Sequence, residues 1–342
     1  MASSVSGDRP TLEDVAAYAG VSRSTASRAL NEGSYVSRRA REAVLAAARD
    51  LGYSPNQAAR SLVTRRTGAI ALILSEPETK VLTDPYFLTL MREAFRILAT
   101  GGSQMLVMFV GTRDDIQRTT KFLEGGHVDG ALVVAPHAGD PLPTALRLMR
   151  VPVVFGGRPG NAGKGMYTVD YDNVAGGRLA ATHLLERGRR GIVTVCGSQD
   201  HPAAQDRLLG WQKALAEHGI SPEGRAESGD FTQAGGEAAM TRLLARHPDL
   251  DAVFAASDPM AAGVLQALRF HGRRVPEDVA VVGFDDHPSM TPTLTPPLTS
   301  VHQEPGEQVR HMIMILQDLL AGHTPPLRRQ LLPVSLTIRA ST

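Results

Sequence analysis

The sequence lacks the residues and motifs on which several classes of protein depend. Its single cysteine, Cys196, permits no internal disulfide, no CxxC redox pair and no cysteine-based zinc site. The motifs GxSxG and HExxH, a Walker loop and a strand-linked GxGxxG are missing, so nothing in the sequence assembles a nucleophile, a metal site or a dinucleotide site. We therefore expect a protein that is not an enzyme and needs no cofactor.

Long apolar runs are missing as well. No run approaches the roughly 20 residues that span a bilayer, and the opening residues MASSVSGDRP contain no apolar stretch that would direct secretion. These features predict a cytoplasmic protein with no membrane partner. The last apolar run, LLPVSLTIR, is followed by no heptad repeat that could join two dimers, so we expect a dimer.

Charge is distributed unevenly along the 342 residues. Residues 1–66 contain ten arginines, no lysine and six acidic residues, whereas the remainder contains 26 basic and 29 acidic residues. Arginine is suited to bidentate contacts with phosphates and guanine edges. The charge alone leaves two interpretations open, a nucleic-acid-binding front module or a module made soluble by its charge.

The front module, residues 1–53, has the signals of three short helices. Thr11 and Asp14 fit a capping box, and Gly20 ends the first helix. Ser22 can cap a second helix and Ser37 a third. Because only GVS separates the first two helices, the pattern predicts a helix-turn-helix, whose second helix enters the major groove of DNA.

The outward face of the second helix predicts which residues contact DNA. Arg23, Ser24 and Arg28 are the candidates for reading bases. Further predicted DNA contacts, mainly to phosphates, come from Thr11, Ser22, Thr25, Ser27 and Asn31. The alternative is a three-helix bundle that uses the same arginines for protein contacts.

Residues 54–66 form a predicted hinge helix and linker. Pro55 ends any preceding helix and Asn56, which we also expect at the DNA, can cap a helix of about two turns. A helix that short orders only with added contacts, such as a partner copy and DNA. Leu62, flanked by arginines, fits an apolar wedge in the minor groove; the alternative is that it packs on the third helix.

Residues 67–342 alternate short apolar runs with helical patterns. Runs such as AIALILS, DGALVVA, DAVFAAS and VAVVGFDD predict strands buried on both faces, hence an α/β core of parallel sheets in two Rossmann-like lobes. Ligands of such sheets bind at the carboxyl ends of strands. Ser75, Asp258 and Asp285 follow three of these runs and are predicted effector contacts, although both aspartates could instead cap helices.

The chain resembles the LacI/GalR family of bacterial transcription regulators. The likeness rests on TLEDVAAYAGVSRSTASRALN, VSRRAREAVLAAARDLGYSPNQAARSL and TGAIALIL, and continues through DRLLGW, AASDPMAAGVLQAL, VPEDVAVVGFDD and PLTSV. It implies a homodimer that reads an inverted-repeat operator in double-stranded DNA, with Leu62 of each subunit inserted at the central step. It also implies a periplasmic-binding-protein-like core, with lobe 1 at about 67–170 plus 303–342 and lobe 2 at about 171–302.

The resemblance implies effector contacts as well. Phe87, Arg207 and Phe231 match positions that contact effectors in the family, and an arginine with aspartates and aromatic rings suits a mono- or disaccharide. One departure is Gly157, where many relatives have an acidic residue; its absence removes a hydroxyl anchor or makes space for a larger ligand. The sequence thus predicts a sugar-induced repressor of carbohydrate genes. The alternatives are a nucleobase or phosphorylated metabolite as corepressor, and a solute-binding transport component.

Overall fold

The computed structural model of the chain describes residues 10–30, 36–54, 66–160 and 165–342. These residues form two compact units that divide between Thr67 and Gly68. Asn31, Asn56 and Leu62, and with them the predicted hinge helix, lie outside the described residues. Among the described residues, no helix combines the length and the apolar character needed to cross a membrane.

The smaller unit contains the three predicted helices, α1 (Leu12–Tyr18), α2 (Arg23–Leu30) and α3 (Arg38–Asp50). The capping box of the first helix is present as predicted, since the backbone N–H of Asp14 donates to Thr11 Oγ1 and that of Thr11 donates to Asp14 Oδ2. The predicted caps Ser22 and Ser37 accept from the backbone N–H groups of Thr25 and Ala40. Small apolar side chains fill the core between the helices: Val15, Ala16, Ala26, Ala29, Val44, Ala47 and Ala48.

The larger unit alternates strands with helices. Its helices are α4 (Glu78–Val81), α5 (Pro85–Thr100), α6 (Arg113–Glu124), α7 (Leu142–Arg147), α8 (Asn173–Glu186), α9 (Pro202–Glu217), α10 (Gln233–Arg246), α11 (Asp258–Phe270) and α12 (Pro305–Leu320). Its strands are β1 (Ala69–Leu74), β2 (Gln104–Phe109), β3 (Gly130–Val134), β4 (Val153–Gly156), β5 (Tyr167–Tyr171), β6 (Ile192–Cys196), β7 (Ala226–Ser228), β8 (Ala252–Ala255), β9 (Ala280–Asp285), β10 (Thr299–His302), β11 (Arg329–Leu332) and β12 (Ser335–Thr337).

The described strands form two sheets, each the centre of one lobe. Lobe 1 has the order β11-β5-β4-β3-β1-β2 and lobe 2 the order β12-β10-β9-β8-β6-β7. Neighbouring strands are parallel except for β12, which runs antiparallel to β10. The central strands are buried along their whole length, as expected when helices cover both faces of a parallel sheet. The two predicted lobes are therefore present.

The chain crosses between the lobes three times, after β5, after β10 and after β11. Helix α12 packs in the core of lobe 1 through Val309, Met312 and Ile313. The structure differs from the sequence prediction for 303–342, because β12 returns to lobe 2. Ser341 holds this end there, since its Oγ donates to the carbonyl of Val281 (2.6 Å) and accepts from the N–H of Thr299 (2.8 Å). The sequence did not predict β12 because a strand of three residues is too short to show a pattern of apolar side chains.

Helices α8 and α9 cross at two glycines. A Cβ added at Gly177 would lie 2.0 Å from the carbonyl oxygen of Arg207, and one at Gly210 would lie 2.0 Å from that of Val174. Both obstacles are backbone atoms, which cannot turn aside as a side chain could. Glycine at these two positions is thus what lets the helices approach this closely.

We expect Gly177→Ala to lower the free energy of unfolding by about 3 kcal/mol, the upper end of the usual cost of overpacking. Thermal unfolding of the variant measures this loss. Gly101→Ala is the matched control, because a Cβ there meets its nearest atom at 3.5 Å and the glycine does not have a positive φ. Equal stability of the two variants would contradict the inferred close crossing.

Candidate functional site

The first candidate site is the outer face of α2. Arg23, Ser24 and Arg28 are exposed, whereas Ala26 and Ala29 point into the core. The Arg23 guanidinium lies 2.7 Å from Glu13 Oε1, and both side chains are more than half exposed (71% and 58%). The Nε of Arg28 donates to the carbonyl of Ser24 at 3.1 Å. Both arginines are thus held along the helix surface by contacts weak enough for DNA to replace.

Hydroxyl groups cluster at the start of this helix. Ser22 Oγ lies 2.9 Å from Ser24 Oγ and 2.8 Å from Thr25 Oγ1, and all three side chains belong to the first turn or its cap. Backbone N–H groups and hydroxyls at a helix N-terminus are suited to phosphate oxygens. The hydroxyl of Thr11 is occupied by Asp14 (2.8 Å), so its role here is to cap α1. The predicted DNA contacts of Thr11, Ser22, Thr25 and Ser27 remain predictions.

The second candidate site is a cavity between the two lobes, with about 750 Å³ of empty space including its open mouth. This volume lies within the range of small-molecule sites. Four of the six predicted effector residues line it: Phe87, Arg207, Phe231 and Asp285. Further lining residues include Tyr86, Arg158, Asp170, Ser257, Gln303 and Gln308.

Arg207 is the central charge of the cavity. It lies on α9 and is 6% exposed. Its Nε donates to Asn173 Oδ1 (2.8 Å), one terminal nitrogen donates to the carbonyl of Ala256 (2.6 Å), and the guanidinium lies 3.5 Å from the centre of the Phe284 ring. The same terminal nitrogen is 3.7 Å from Asp285 Oδ1. These contacts fix the arginine and leave its remaining donors for a ligand.

Three carboxyl groups in the cavity have raised pKa values, those of Asp84, Asp170 and Asp285. Burial raises the pKa of Asp285 to about 7, although Arg207 lowers it. Burial also raises the pKa of Asp170 to about 6. Asp285 has a positive φ of 109°, a conformation that costs energy for any residue except glycine and occurs most often at functional sites. These groups can accept or donate hydrogen bonds at neutral pH, which suits the hydroxyls of a sugar.

Aromatic side chains from both lobes border the cavity. Phe87 of lobe 1 is buried and meets the Tyr86 ring edge-on, with ring centres 5.2 Å apart. Phe231 of lobe 2 meets the ring of His201 edge-on at 5.2 Å, and it too has a positive φ. His201 is 7% exposed and lines the cavity.

Ser75 and Asp258 do not line the cavity. Ser75 is buried, and its Oγ has no hydrogen-bond partner among the described residues. Asp258 is fully buried; its Oδ1 accepts from Ser300 Oγ (2.6 Å) and its Oδ2 from the N–H of His287 (2.9 Å). Its two carboxylate oxygens thus join α11 to β10 and to the loop after β9. The preceding residue, Ser257, lines the cavity in its place.

Gly157 lines the cavity with a positive φ of 98°. A larger side chain at this position would be strained, so the absence of an acidic residue here is built into the backbone. The next residue, Arg158, forms an ion pair with Asp206 of lobe 2, in which Nη2 of the arginine lies 2.9 and 3.0 Å from the two carboxylate oxygens. The space at Gly157 therefore opens beside a contact that joins the lobes.

A cluster at one end of the cavity was missed by the sequence analysis. It contains Glu76, Lys80 and His137 of lobe 1 and Asp200 and His201 of lobe 2. Burial would raise the pKa of Glu76, but hydrogen bonds from the two histidines and the charge of Lys80 outweigh it and hold this pKa well below its usual range. These residues come from three distant segments of the sequence, 76–80, 137 and 200–201, and share no spacing motif.

The comparisons with known proteins match both compact units of the chain. A model of bacterial regulatory proteins of the lacI family matches residues 11–56, and a model of a periplasmic binding protein-like domain matches residues 181–342. The HTH-type transcriptional regulator CelR of Thermobifida fusca is 44% identical over 335 residues, 97% of this chain and 98% of CelR. The ribose operon repressor of Escherichia coli K12 is 33% identical over 328 residues, 95% of this chain and 97% of that repressor.

Solved structures of related regulators are similar to this chain over nearly its whole length. A CelR–cellobiose complex has a TM-score of 0.78 at 42% identity and covers 98% of this chain and 100% of its own. A lac repressor dimer bound to operator and the anti-inducer ONPF has a TM-score of 0.87 at 27% identity, covering 98% of this chain and 99% of its own. The fold and the two sites define a DNA-binding regulator with a ligand-binding core. The chain belongs to the LacI family of bacterial regulatory proteins.

Proposed function

We propose that this protein is a repressor that binds an inverted-repeat operator as a homodimer and is released when a sugar binds between its lobes. The observation that carries the proposal is the buried Arg207 beside Asp285, with Phe87 and Phe231 on the walls of the same cavity. The charged groups suit sugar hydroxyls and the rings suit the apolar faces of sugar rings. Binding in this way changes no covalent bond, which agrees with a regulator that is not an enzyme.

A disaccharide is the favoured effector. The cavity and the space at Gly157 accommodate more than one ring, and the relative that is 44% identical has a counterpart solved with cellobiose. A corepressor of the nucleobase or phosphorylated-metabolite type has less support. Four carboxyl groups line the cavity, those of Glu76, Asp84, Asp170 and Asp285, and they would repel an anion when ionised.

An apolar surface of lobe 1 fits the second copy of the chain. Leu106 and Val107 are more than one-third exposed on the edge strand β2, and Leu88 and Phe95 project from α5, with Phe95 60% exposed. An exposed apolar edge strand would promote aggregation unless another molecule covers it. The dimeric lac repressor structure supports a second copy as the molecule that does so here.

The proposal is tested by two linked measurements. Selection from random duplexes should enrich one symmetric site, whose affinity falls steeply with salt because arginines displace counterions from several phosphates. Cellobiose added to the complex should then release the DNA, with ribose as the comparison sugar. The absence of an enriched symmetric site would overturn the proposal that the protein is an operator-binding repressor. Tighter DNA binding in the presence of a ligand would show that the ligand is a corepressor and not an inducer.

We expect sugar affinity to rise with pH through about 7, the pKa of Asp285. An ionised carboxylate accepts hydrogen bonds from hydroxyls more strongly than a protonated one, so binding favours the form present above the pKa. Arg207, Asp84 and Asp258 face this carboxyl group, and burial is the main cause of its raised pKa. Calorimetry should show about a tenfold gain between about pH 6 and about pH 8.

The matched control for the pH dependence is Asp285→Asn, which keeps the shape and removes the titrating group. This variant should bind the sugar more weakly than the parent protein does, and its sugar affinity should change little with pH above 7. A parent protein with the same affinity at both pH values would show that Asp285 does not accept from the sugar in its charged form.

A further inference from the structure

The cluster at the end of the cavity brings together three side chains of the types that bind transition metals. Ligand atoms of Glu76, His137 and His201 all lie within 4.8 Å of one another. Glu76 Oε1 is 3.2 Å from His201 Nε2, and Glu76 Oε2 is 3.8 Å from His137 Nε2. Ligands of a tetrahedral zinc ion, each about 2.1 Å from the metal, lie about 3.4 Å apart. The observed separations bracket this value.

A neighbouring carboxylate orients one of these histidines. His137 Nδ1 lies 2.7 Å from Asp200 Oδ2, so this nitrogen donates its hydrogen to the carboxylate. Glu76 accepts the hydrogen on Nε2 of His137, so a metal ion would have to replace this hydrogen, and the freed lone pair on Nε2 would then face the ion. A carboxylate bound to the far nitrogen of a histidine ligand is the usual support of a metal site.

The charges of the cluster also fit a divalent cation. Glu76 and Asp200 supply two negative charges beside the cavity, and Glu76 is 4% exposed. In the structure the Nζ of Lys80 lies 2.5 Å from Glu76 Oε1, in the place where a cation would bind. Lysine is a flexible point charge, so a metal ion with two positive charges can displace it without leaving Glu76 uncompensated.

We propose that Glu76, His137 and His201 form a binding site for a divalent transition-metal ion such as Zn²⁺, with Asp200 as the positioning residue of His137. Three protein ligands leave a position open, as in zinc sites that also bind water or a substrate. The site lies beside the cavity and takes ligands from both lobes, so a bound ion joins lobe 1 to lobe 2. Glu76 and His201 also line the proposed sugar cavity, but metal binding can be measured without sugar or DNA.

Cobalt and zinc titrations of the full chain test the site. After treatment with EDTA and desalting, one equivalent of Co²⁺ per chain should produce the visible absorption of a tetrahedral complex, and Zn²⁺ should displace it. His201→Asn should weaken binding at least about tenfold, and Asp200→Asn by about tenfold to a hundredfold. His323→Asn is the matched control, since His323 is exposed and distant in the sequence.

Lys80→Met gives a prediction of opposite sign. Removing the competing ammonium group should strengthen Co²⁺ binding. If Co²⁺ instead bound to a surface histidine elsewhere, the Lys80 substitution would not change its affinity. Thermal unfolding confirms that each variant is folded. The proposal is overturned if the parent shows no saturable single equivalent, if His201→Asn binds as the parent does, or if His323→Asn weakens binding equally.

Discussion

Replacing Arg207 with alanine is expected to weaken sugar binding about a hundredfold, equivalent to about 3 kcal/mol. The guanidinium is buried, and its contacts with Asn173 and Ala256 aim it at the cavity. Its loss removes charge-assisted hydrogen bonds to the ligand and leaves the nearby carboxyl groups without their cation. Calorimetry with cellobiose measures the loss, and operator binding should become insensitive to the sugar.

The control for this variant is Arg178→Ala. Arg178 forms a surface ion pair with Glu217 and is 55% exposed, so its removal takes away a positive charge without touching the cavity. Operator affinity without sugar should be unchanged in both variants, which separates an effector defect from misfolding. Normal sugar response in the Arg207 variant would remove this residue from the proposed site.

Replacing Arg28 with alanine is expected to lower operator affinity by about tenfold to a hundredfold, the cost of losing one bidentate contact with a base. Arg28 is exposed on the outer face of α2, and its Nε donates to the carbonyl of Ser24. Because the contact is to a base, binding to unrelated DNA should fall much less. Fluorescence anisotropy with the selected operator and with a scrambled duplex measures both affinities.

Arg49→Ala is the control for the loss of charge, since Arg49 is exposed near the end of α3. It should change both affinities slightly and to the same extent. An equal loss on operator and scrambled duplex in the Arg28 variant would mean that this arginine contacts phosphate and positions the protein.

The front module was predictable because its signals are local. The capping box joins Thr11 to Asp14, three residues apart, and the caps Ser22 and Ser37 act over the same distance. The central strands were predictable because each is a run of buried apolar residues. Strands β5 and β7 were not predicted: β5 includes Asp170 and β7 is three residues long. Their place in the sheets is decided by neighbouring strands.

The site was only partly predictable. Phe87, Arg207 and Phe231 follow from the family resemblance, and Asp285 follows from the rule that ligands bind where strands end. The same rule was wrong by one residue at two other places. Ser257 lines the cavity where Asp258 was expected, and Glu76 where Ser75 was expected, because adjacent residues point in opposite directions where a strand ends. His137 and His201 could have been found by applying the same rule to β3 and β6.

The three crossings between the lobes restrict how the core can move. One of them, between β11 and β12, consists of Pro333 and Val334, and Val334 packs against the apolar cores of both lobes. The three links lie side by side, since the N–H of Asp172 donates to the carbonyl of Leu332 and the hydroxyl of Tyr171 donates to the carbonyl of Glu304. We expect them to let the lobes rotate about a line through them and to oppose sliding or separation. Because Val334 packs against both cores, we expect it to lie near the axis of such a rotation, so that a small rotation at the cavity would move the far edge of each lobe further.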